Sequence, residues 1–219
     1  EAAFYGREDV AALLDEGKVP LGLDLETVEP VTWDLKKGNL LYLTDKEEQM
    51  TQFVKQIARS KQKVIVLAPA YNELPEMEGV TILSTKEDYV AGIKKMEENI
   101  QLRLEQQKSQ HEATIVLYNQ LELMNDLSMD LQSSLNYVLE KGARAGYATV
   151  AMSGSQLNRK IDEVSKSIKL YKQAIVAMRI TDQSVLNVIN RPVREEPLDS
   201  QVNYYVEDGF VRKVKVLMK

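Results

Sequence analysis

The chain has 219 residues, of which 44% are hydrophobic and 28% charged, so it can bury the core of one soluble globular domain. The formal net charge of -5, without a basic stripe, argues against nucleic-acid binding. The absence of cysteine excludes disulfide frameworks and thiolate zinc sites. With His111 as the single histidine, Cys-His and Ser-His nucleophile pairs are largely excluded as well.

The start of the chain indicates a piece of a larger protein, because the first residue is Glu1 and not Met. We expect residues 1–19 to be a helix and linker from a preceding domain, since apolar residues recur at helical spacing from Val10 to Leu14 and Gly17 follows. Residues 20–219 then form one domain. No signal peptide is visible, and no apolar run approaches the ~20 residues that span a bilayer.

The first elements of that domain are predicted to be two strands and a helix. Val31, Trp33 and Leu35 alternate with polar residues, which is typical of a strand. The turn residues 36–39 are expected to bring this strand back onto the apolar run 40–43. After that run, apolar residues fall at i, i+3, i+4, i+7 and i+8 and predict an amphipathic helix, with Met50, Phe53, Val54, Ile57 and Ala58 on one face.

A strand that leads into a helix is the context of a P-loop. Aligned without gaps on G-x-x-x-x-G-K-[ST], the chain places Thr44 and Gln49 at the glycines, Met50 at the lysine and Thr51 at the hydroxyl position. Phosphate binding needs the glycines, so that backbone N–H groups can surround the anion, and the charge of the lysine. We therefore predict a degenerate nucleotide site, with weak or absent binding of ATP and Mg²⁺.

The start of this helix is expected to satisfy its own N–H groups. Thr44 or Asp45 is the expected N-cap, with Glu47 or Glu48 three residues later as the partner of a capping box. The three carboxylates outnumber Lys46, and this negative charge opposes the charge of a nucleotide. The simpler alternative is an ordinary capped helix of an α/β domain.

The remaining chain alternates predicted strands with predicted helices. Residues 84–87 predict a capping box that begins a long helix. Further strands are expected at 63–68, 80–83, 113–118, 147–152 and 174–180, further helices at 131–139, 161–170 and 185–189, and a closing hairpin at 202–216 with its turn at Asp208-Gly209. Such alternation favours a largely parallel sheet, with any ligand at the carboxyl ends of the strands.

The apolar run 113–118 is the second diagnostic stretch. A Walker B strand ends in an Asp that orders Mg²⁺ and, in ring ATPases, a Glu that activates the attacking water. Asn119 and Gln120 follow the run at those positions, although Glu122 leaves the register open. An amide has the shape of a carboxylate but can neither neutralise Mg²⁺ nor accept the proton of water. We therefore predict no catalytic residue and no metal site.

With both motifs placed, the chain resembles the FtsK/SpoIIIE family of ring ATPases over almost its whole length. Further matching segments are the lead-in 19–24 with 29–31, the glycine-containing segment 140–146, residues 181–184 and residues 190–192. The chain is most similar to the last, degenerate ATPase domain of the type VII secretion branch. That branch consists of membrane-anchored motors with tandem ATPase domains on the cytoplasmic side. The resemblance implies a RecA-like fold of the P-loop NTPase type, with a mostly parallel sheet flanked by helices.

The resemblance also implies a function. It suggests a non-hydrolysing pseudo-ATPase domain that engages secreted helical-hairpin substrates and regulates neighbouring ATPase domains of the same chain, in a protein that can form a homo-hexamer. The alternative is a working ATPase or DNA translocase, in which Thr51 contacts a metal and Arg144 or Arg191 acts on a neighbour's phosphate. The sequence leaves the partner-binding residues open, because the aromatic rings of the closing hairpin suit either a partner groove or the core: Tyr204, Tyr205 and Phe210.

Overall fold

Short runs of consecutive apolar residues form the centre of one ten-stranded sheet in the computed structural model, which describes residues 12–13, 16–60 and 62–216. The strands are β1 (Lys18–Asp24), β2 (Pro30–Asp34), β3 (Leu40–Leu43), β4 (Val64–Leu67), β5 (Val80–Leu83), β6 (Ala113–Leu117), β7 (Tyr147–Ser153), β8 (Gln173–Val176), β9 (Val202–Glu207) and β10 (Phe210–Lys215). Their order is β2-β1-β10-β9-β8-β3-β7-β6-β4-β5. The six strands from β8 to β5 are parallel, and the other four extend the sheet antiparallel.

Five α-helices have both ends within the described residues, and they cover the two faces of the sheet unequally. They are α1 (Glu47–Ala58), α2 (Lys86–Glu105), α3 (Gln120–Asp126), α4 (Met129–Gly142) and α5 (Glu163–Ile168). Alternate residues of a strand point to opposite faces, so Leu41 and Leu43 join the core beneath α2 to α5, whereas Leu40 and Tyr42 join the core beneath α1. This architecture confirms the predicted α/β fold with a mostly parallel sheet, flanking helices and a C-terminal hairpin.

The prediction that the strand around Val31 to Leu35 turns back and pairs with residues 40–43 is wrong. β2 instead pairs with β1, which the sequence did not predict as a strand, and β3 lies between β7 and β8. The turn directs the chain away because residues 35–37 form a short 3-10 helix, with the Asp34 carboxylate accepting from Lys36 N at 2.9 Å. The side chain of Asn39 then accepts from Thr149 N at 2.9 Å and fixes the start of β3 beside β7.

Two smaller expectations are also corrected. Residues 185–189 are not helical, because the Gln183 side chain accepts from Leu186 N and donates to the carbonyls of Ile180 and Leu186, which holds this segment as a loop. Strand β8 ends at Val176, short of the expected residue 180. The hairpin turn at Asp208-Gly209 is confirmed, with positive φ at both residues, as a tight hairpin turn requires.

The predicted N-terminal helix falls largely outside the described residues, so residues 1–19 are not tested as a separate unit. Within the described ranges, no helix combines the length and the apolar character that a membrane crossing requires. The same part of the chain holds no cluster of three side chains of the types that bind metals.

Candidate functional site

The connection between β3 and α1 is too short to form a P-loop. β3 ends at Leu43 and α1 begins at Glu47, so three residues separate them. The alignment on the P-loop motif places four residues between the glycines, yet Glu47 and Glu48 are already in the first turn of the helix. A helical turn directs its N–H groups along the helix axis and cannot wrap around a phosphate as a glycine-rich loop does.

Side chains of the connection hydrogen bond to one another and to a neighbouring loop. The buried Thr44 hydroxyl donates to the Gln49 side-chain oxygen and accepts from Lys46 N at 3.1 Å. Thus the two residues at the glycine positions bond directly to each other. The Asp45 carboxylate accepts from Ser155 N at 2.8 Å, beyond the end of β7. A Cβ atom on Gly154 would lie 2.7 Å from this carboxylate, so a glycine is needed there for the contact.

The predicted capping box at this helix is wrong. Lys46 is the N-cap residue, and its side chain makes no capping hydrogen bond. Thr44 and Asp45 cannot cap α1 because their side-chain oxygens bond to Gln49 and Ser155 instead. Glu47 and Glu48 remain as two carboxylates in the first turn, where they face the positive end of the helix dipole.

Met50, at the lysine position, points into the core. Its side chain is 5% exposed and belongs to the cluster beneath α1, which includes Phe53 and Val54. A side chain in this direction reaches the sheet and not the open end of the strands. The missing lysine is therefore replaced by a packing residue, and Met50 cannot contact a phosphate without a rotation of the helix.

The Thr51 hydroxyl contacts Tyr118, a residue that the sequence reasoning did not single out. The two hydroxyl oxygens lie 2.7 Å apart, and Tyr118 also approaches the Glu47 carbonyl at 3.4 Å. Burial raises the pKa of Tyr118, so its phenol stays protonated at neutral pH. Strand alternation from Thr114 through Val116 places residue 118 on the α1 face, and this signal was readable from the sequence.

Asn119 and Gln120 do not converge on Thr51. Asn119 has a left-handed conformation, with φ of 49°, and its amide donates to the Tyr71 hydroxyl at 3.2 Å. Gln120 is completely buried; its oxygen accepts from the Ser153 hydroxyl and its nitrogen donates to the Ser165 hydroxyl, both at 2.9 Å. The amide at the catalytic-base position therefore links β7, α3 and α5 within the core.

Carboxylates surround the carboxyl ends of the parallel strands beside the degenerate site. Glu47 accepts from the Asn72 amide at 2.5 Å, and Asp126 accepts from Ala70 N at 3.0 Å. Glu122 is exposed and accepts from Asn125 within its own helix. Burial, followed by the Glu122 and Glu47 charges, raises the pKa of Tyr71. A polyphosphate placed here would meet negative charge and few free donors.

A small polar cavity adjoins the connection on its other side. It has a volume of about 230 Å³ and is lined in part by Lys46, Gln49 and Arg179. The Arg179 guanidinium is held by both oxygens of Asp182, at 2.8 and 2.9 Å. Sites for drug-sized ligands span ~300 to 1,000 Å³, so this cavity alone does not enclose a ligand of that size.

The remaining candidate residues lie elsewhere. Arg144 precedes β7 and Arg191 lies near the hairpin turn, so both are at the amino ends of the parallel strands, opposite the degenerate site. His111 is exposed in the loop before β6. In the closing hairpin, Tyr204 and Tyr205 are buried in the core while Phe210 is exposed.

The strand order and the two helix-covered faces give a RecA-like fold, with a nucleotide edge that departs from a P-loop. No protein-family model matches the chain. A curated relative is the type VII secretion system protein EssC of Staphylococcus aureus (strain MRSA252), which is 25% identical over 212 residues. The match covers 93% of this chain but 14% of EssC, so the chain spans a small part of the length of that relative.

Solved structures give the same fold. EssC ATPases 2 and 3 from Geobacillus thermodenitrificans match with a TM-score of 0.80 and 18% identity, over 92% of this chain and 41% of that one. Thermomonospora curvata EccC (ATPases 2 and 3), in complex with a signal sequence peptide, matches with a TM-score of 0.70 and 14% identity, over 93% and 41%. The resemblance to an EssC-type ATPase domain of a type VII secretion system is confirmed.

Proposed function

We propose that this chain is a non-hydrolysing domain of a type VII secretion motor. The observation that carries the proposal is the β3–α1 connection, in which three residues replace a P-loop and Thr44 bonds to Gln49. Met50 and Gln120 are core residues, which leaves the positions of the lysine and the catalytic base without reactive groups at the site. Removal of a single electrostatic contributor can cost ~10² to 10³ in rate, so the combined losses support an inactive site.

The proposed role of the domain is to engage secreted substrates and to regulate neighbouring ATPase domains of the same chain. Support comes from the EccC relative, whose ATPases 2 and 3 were solved with a signal sequence peptide. We expect the substrates to be helical hairpins with a short C-terminal signal. The domain would then act on the cytoplasmic side of a membrane-anchored protein that can form a homo-hexamer, without nucleic acid as a partner.

A working ATPase with unconventional residues is the second candidate. Two observations favour it: Thr51 keeps a hydroxyl near the helix start, and Lys46 lies beside the small polar cavity. In that case Arg144 or Arg191 would act on the phosphate of a neighbouring domain. The second candidate predicts ATP turnover that Thr51→Ala abolishes, whereas the proposed function predicts none in either protein.

The deciding experiment titrates the domain with a secreted substrate, with and without ATP and Mg²⁺, by calorimetry. We expect binding in the absence of nucleotide and no hydrolysis. No binding up to ~100 µM, which corresponds to about -5.5 kcal/mol, would contradict substrate engagement. Binding that requires nucleotide, or turnover near one per second, would contradict the non-hydrolysing site.

A further inference from the structure

A groove lies at the edge of the sheet farthest from the antiparallel strands. It is a cavity of about 620 Å³ between the flank of α2 and the strands β4 and β5. Its floor includes Ile65, Thr81 and Leu83, and its helical wall includes Ala91, Gly92, Lys95, Met96, Asn99 and Leu102. None of these residues belongs to the degenerate nucleotide site. The volume is in the range of sites that hold several side chains of a ligand.

The strand beside the groove has an open edge. β5 is the last strand in the sheet order, and its inner side pairs with β4. The carbonyls of Gly79 and Leu83 accept from Val64 N and Ala68 N, both at 3.0 Å, so these residues face β4. Because residues of a parallel ladder alternate in direction, Ile82 directs its N–H and C=O towards the open edge. Such groups can pair with an added strand.

Some of the charged side chains around the groove have hydrogen-bond or ion-pair partners, and others do not. The Asp88 carboxylate accepts from Ser84 N and Thr85 N, at 3.3 and 3.2 Å, and Glu112 pairs with Arg103 at 3.0 Å. Glu98 lies 4.0 Å from Lys94. Lys63 and Lys95 line the groove without an ion pair to any described residue. The groove therefore combines an apolar floor with two lysines that have no ion-pair partner among the described residues, while its carboxylates already accept from neighbouring groups.

We propose that this groove binds an extended acidic segment of a secreted substrate. The segment adds a strand to β5 through the backbone of Ile82 and places alternate apolar side chains against Thr81, Leu83 and Ala91. A carboxylate of the segment meets Lys63 or Lys95. The identity of the partner as a secreted substrate rests on the proposed function, whereas the chemistry of the groove rests on its own residues.

The test begins with a phage-displayed library of short random peptides, selected on the 219-residue chain. We expect enriched peptides to alternate apolar residues with other residues and to carry an acidic residue. A labelled enriched peptide and the full secreted substrate are then titrated separately by fluorescence anisotropy. Failure to enrich any peptide, or enrichment of basic peptides, would overturn the proposed chemistry.

Matched variants on one helix locate the binding. Ala91 is exposed and lines the groove, so Ala91→Trp should weaken peptide binding at least about tenfold, whereas the neighbouring exposed Val90→Trp should not. Lys95→Glu should also weaken binding about tenfold, and Lys86→Glu, at an exposed lysine of the same helix outside the groove, should leave it unchanged. Equal effects of groove and control variants would overturn the inference.

The two proposals fail in different ways. If peptides bind the groove but the substrate does not bind at all, the groove inference holds for a peptide and the proposed function fails. If the substrate binds and Ala91→Trp leaves its affinity unchanged, the proposed function stands and the substrate does not use this groove. Circular dichroism of each variant checks that the fold is retained.

Discussion

Helices α1 and α2 both follow a strand of the parallel part of the sheet, but their first turns are built differently. At α2, Thr85 accepts from Asp88 N at 3.1 Å and Asp88 accepts from Thr85 N at 3.2 Å, which completes a capping box. At α1, Lys46 caps without its side chain, and Asp45 bonds to a distant loop. The start of α2 is thus set by its own capping box, whereas the start of α1 has no side-chain cap and is held by the hydrogen bonds of Thr44 and by the distant contact of Asp45.

The comparison bears on function because the first turn of α1 lies where a phosphate would bind. A helix start that is held by its neighbours has a fixed conformation, which leaves no mobile glycine loop to receive a ligand. The two carboxylates of this turn, Glu47 and Glu48, occupy the positive end of the helix dipole. The first turn of α1 therefore differs from a nucleotide site in shape and in charge.

The largest expected effect comes from restoring the lysine of the motif. Met50→Lys places an ammonium in the apolar cluster beneath α1 and should lower the free energy of unfolding by about 3 kcal/mol, measured by urea denaturation. Met50→Leu, the control, keeps an apolar side chain of similar volume and should cost less than ~1.5 kcal/mol. If the Met50→Lys variant hydrolysed ATP and kept its stability, residue 50 would face the carboxyl ends of the strands and not the core.

A smaller effect is expected at the buried amide of α3. Gln120→Leu leaves the hydroxyls of Ser153 and Ser165 without this partner and should lower the free energy of unfolding by about 2 kcal/mol. Glu122→Gln changes an exposed residue on the same helix and should stay within about 0.5 kcal/mol. Comparable values for both variants would indicate that Gln120 is accessible, as a residue at an active site would be.

Loss of the capping box should cost less again. Thr85→Ala removes the N-cap acceptor of α2 and should lower the free energy of unfolding by about 1 kcal/mol, while Thr85→Ser keeps the hydroxyl as a control. The Thr85 hydrogen bond, together with the backbone N–H groups of Ser84 and Thr85, lowers the pKa of Asp88. The stabilising effect of the ionised Asp88 carboxylate is therefore fully present at pH values above its ordinary pKa of 3.8. This effect is lost as the pH falls through the lowered pKa.

The smallest expected effect is a gain at α1. Lys46 has the extended backbone of an N-cap residue but lacks a capping side chain, so Lys46→Ser should raise the free energy of unfolding by about 0.5 kcal/mol. Thermal unfolding of the single variant and of Lys46→Ala separates the cap from the loss of the lysine charge. If Lys46→Ser lowered the stability while Lys46→Ala did not, the N–H groups in the first turn of α1 would already have another acceptor.

Much of the fold could be read from the sequence because its signals are local. Buried runs such as 64–67 and 113–117, the helical periodicity from Met50 to Ile57 and the Asp208-Gly209 turn all depend on neighbouring residues. The absence of a P-loop glycine and lysine was equally visible. The pairing of β2 was not, because a strand of alternating residues can pair with β1 or β3 on local evidence alone, and only the folded sheet encloses β3 between β7 and β8.

The sequence by itself determined which residue types are missing from the degenerate site, and the tertiary structure decided what the replacements do. Nothing local indicates that Asp45 bonds to Ser155, 110 residues away, or that Gln120 bridges Ser153 and Ser165. Likewise the contact between Thr51 and Tyr118 exists because β6 lies beneath α1 in the folded sheet. Hydrogen bonds between distant segments form only once the sheet order brings them within about 3 Å, so these assignments required the folded chain.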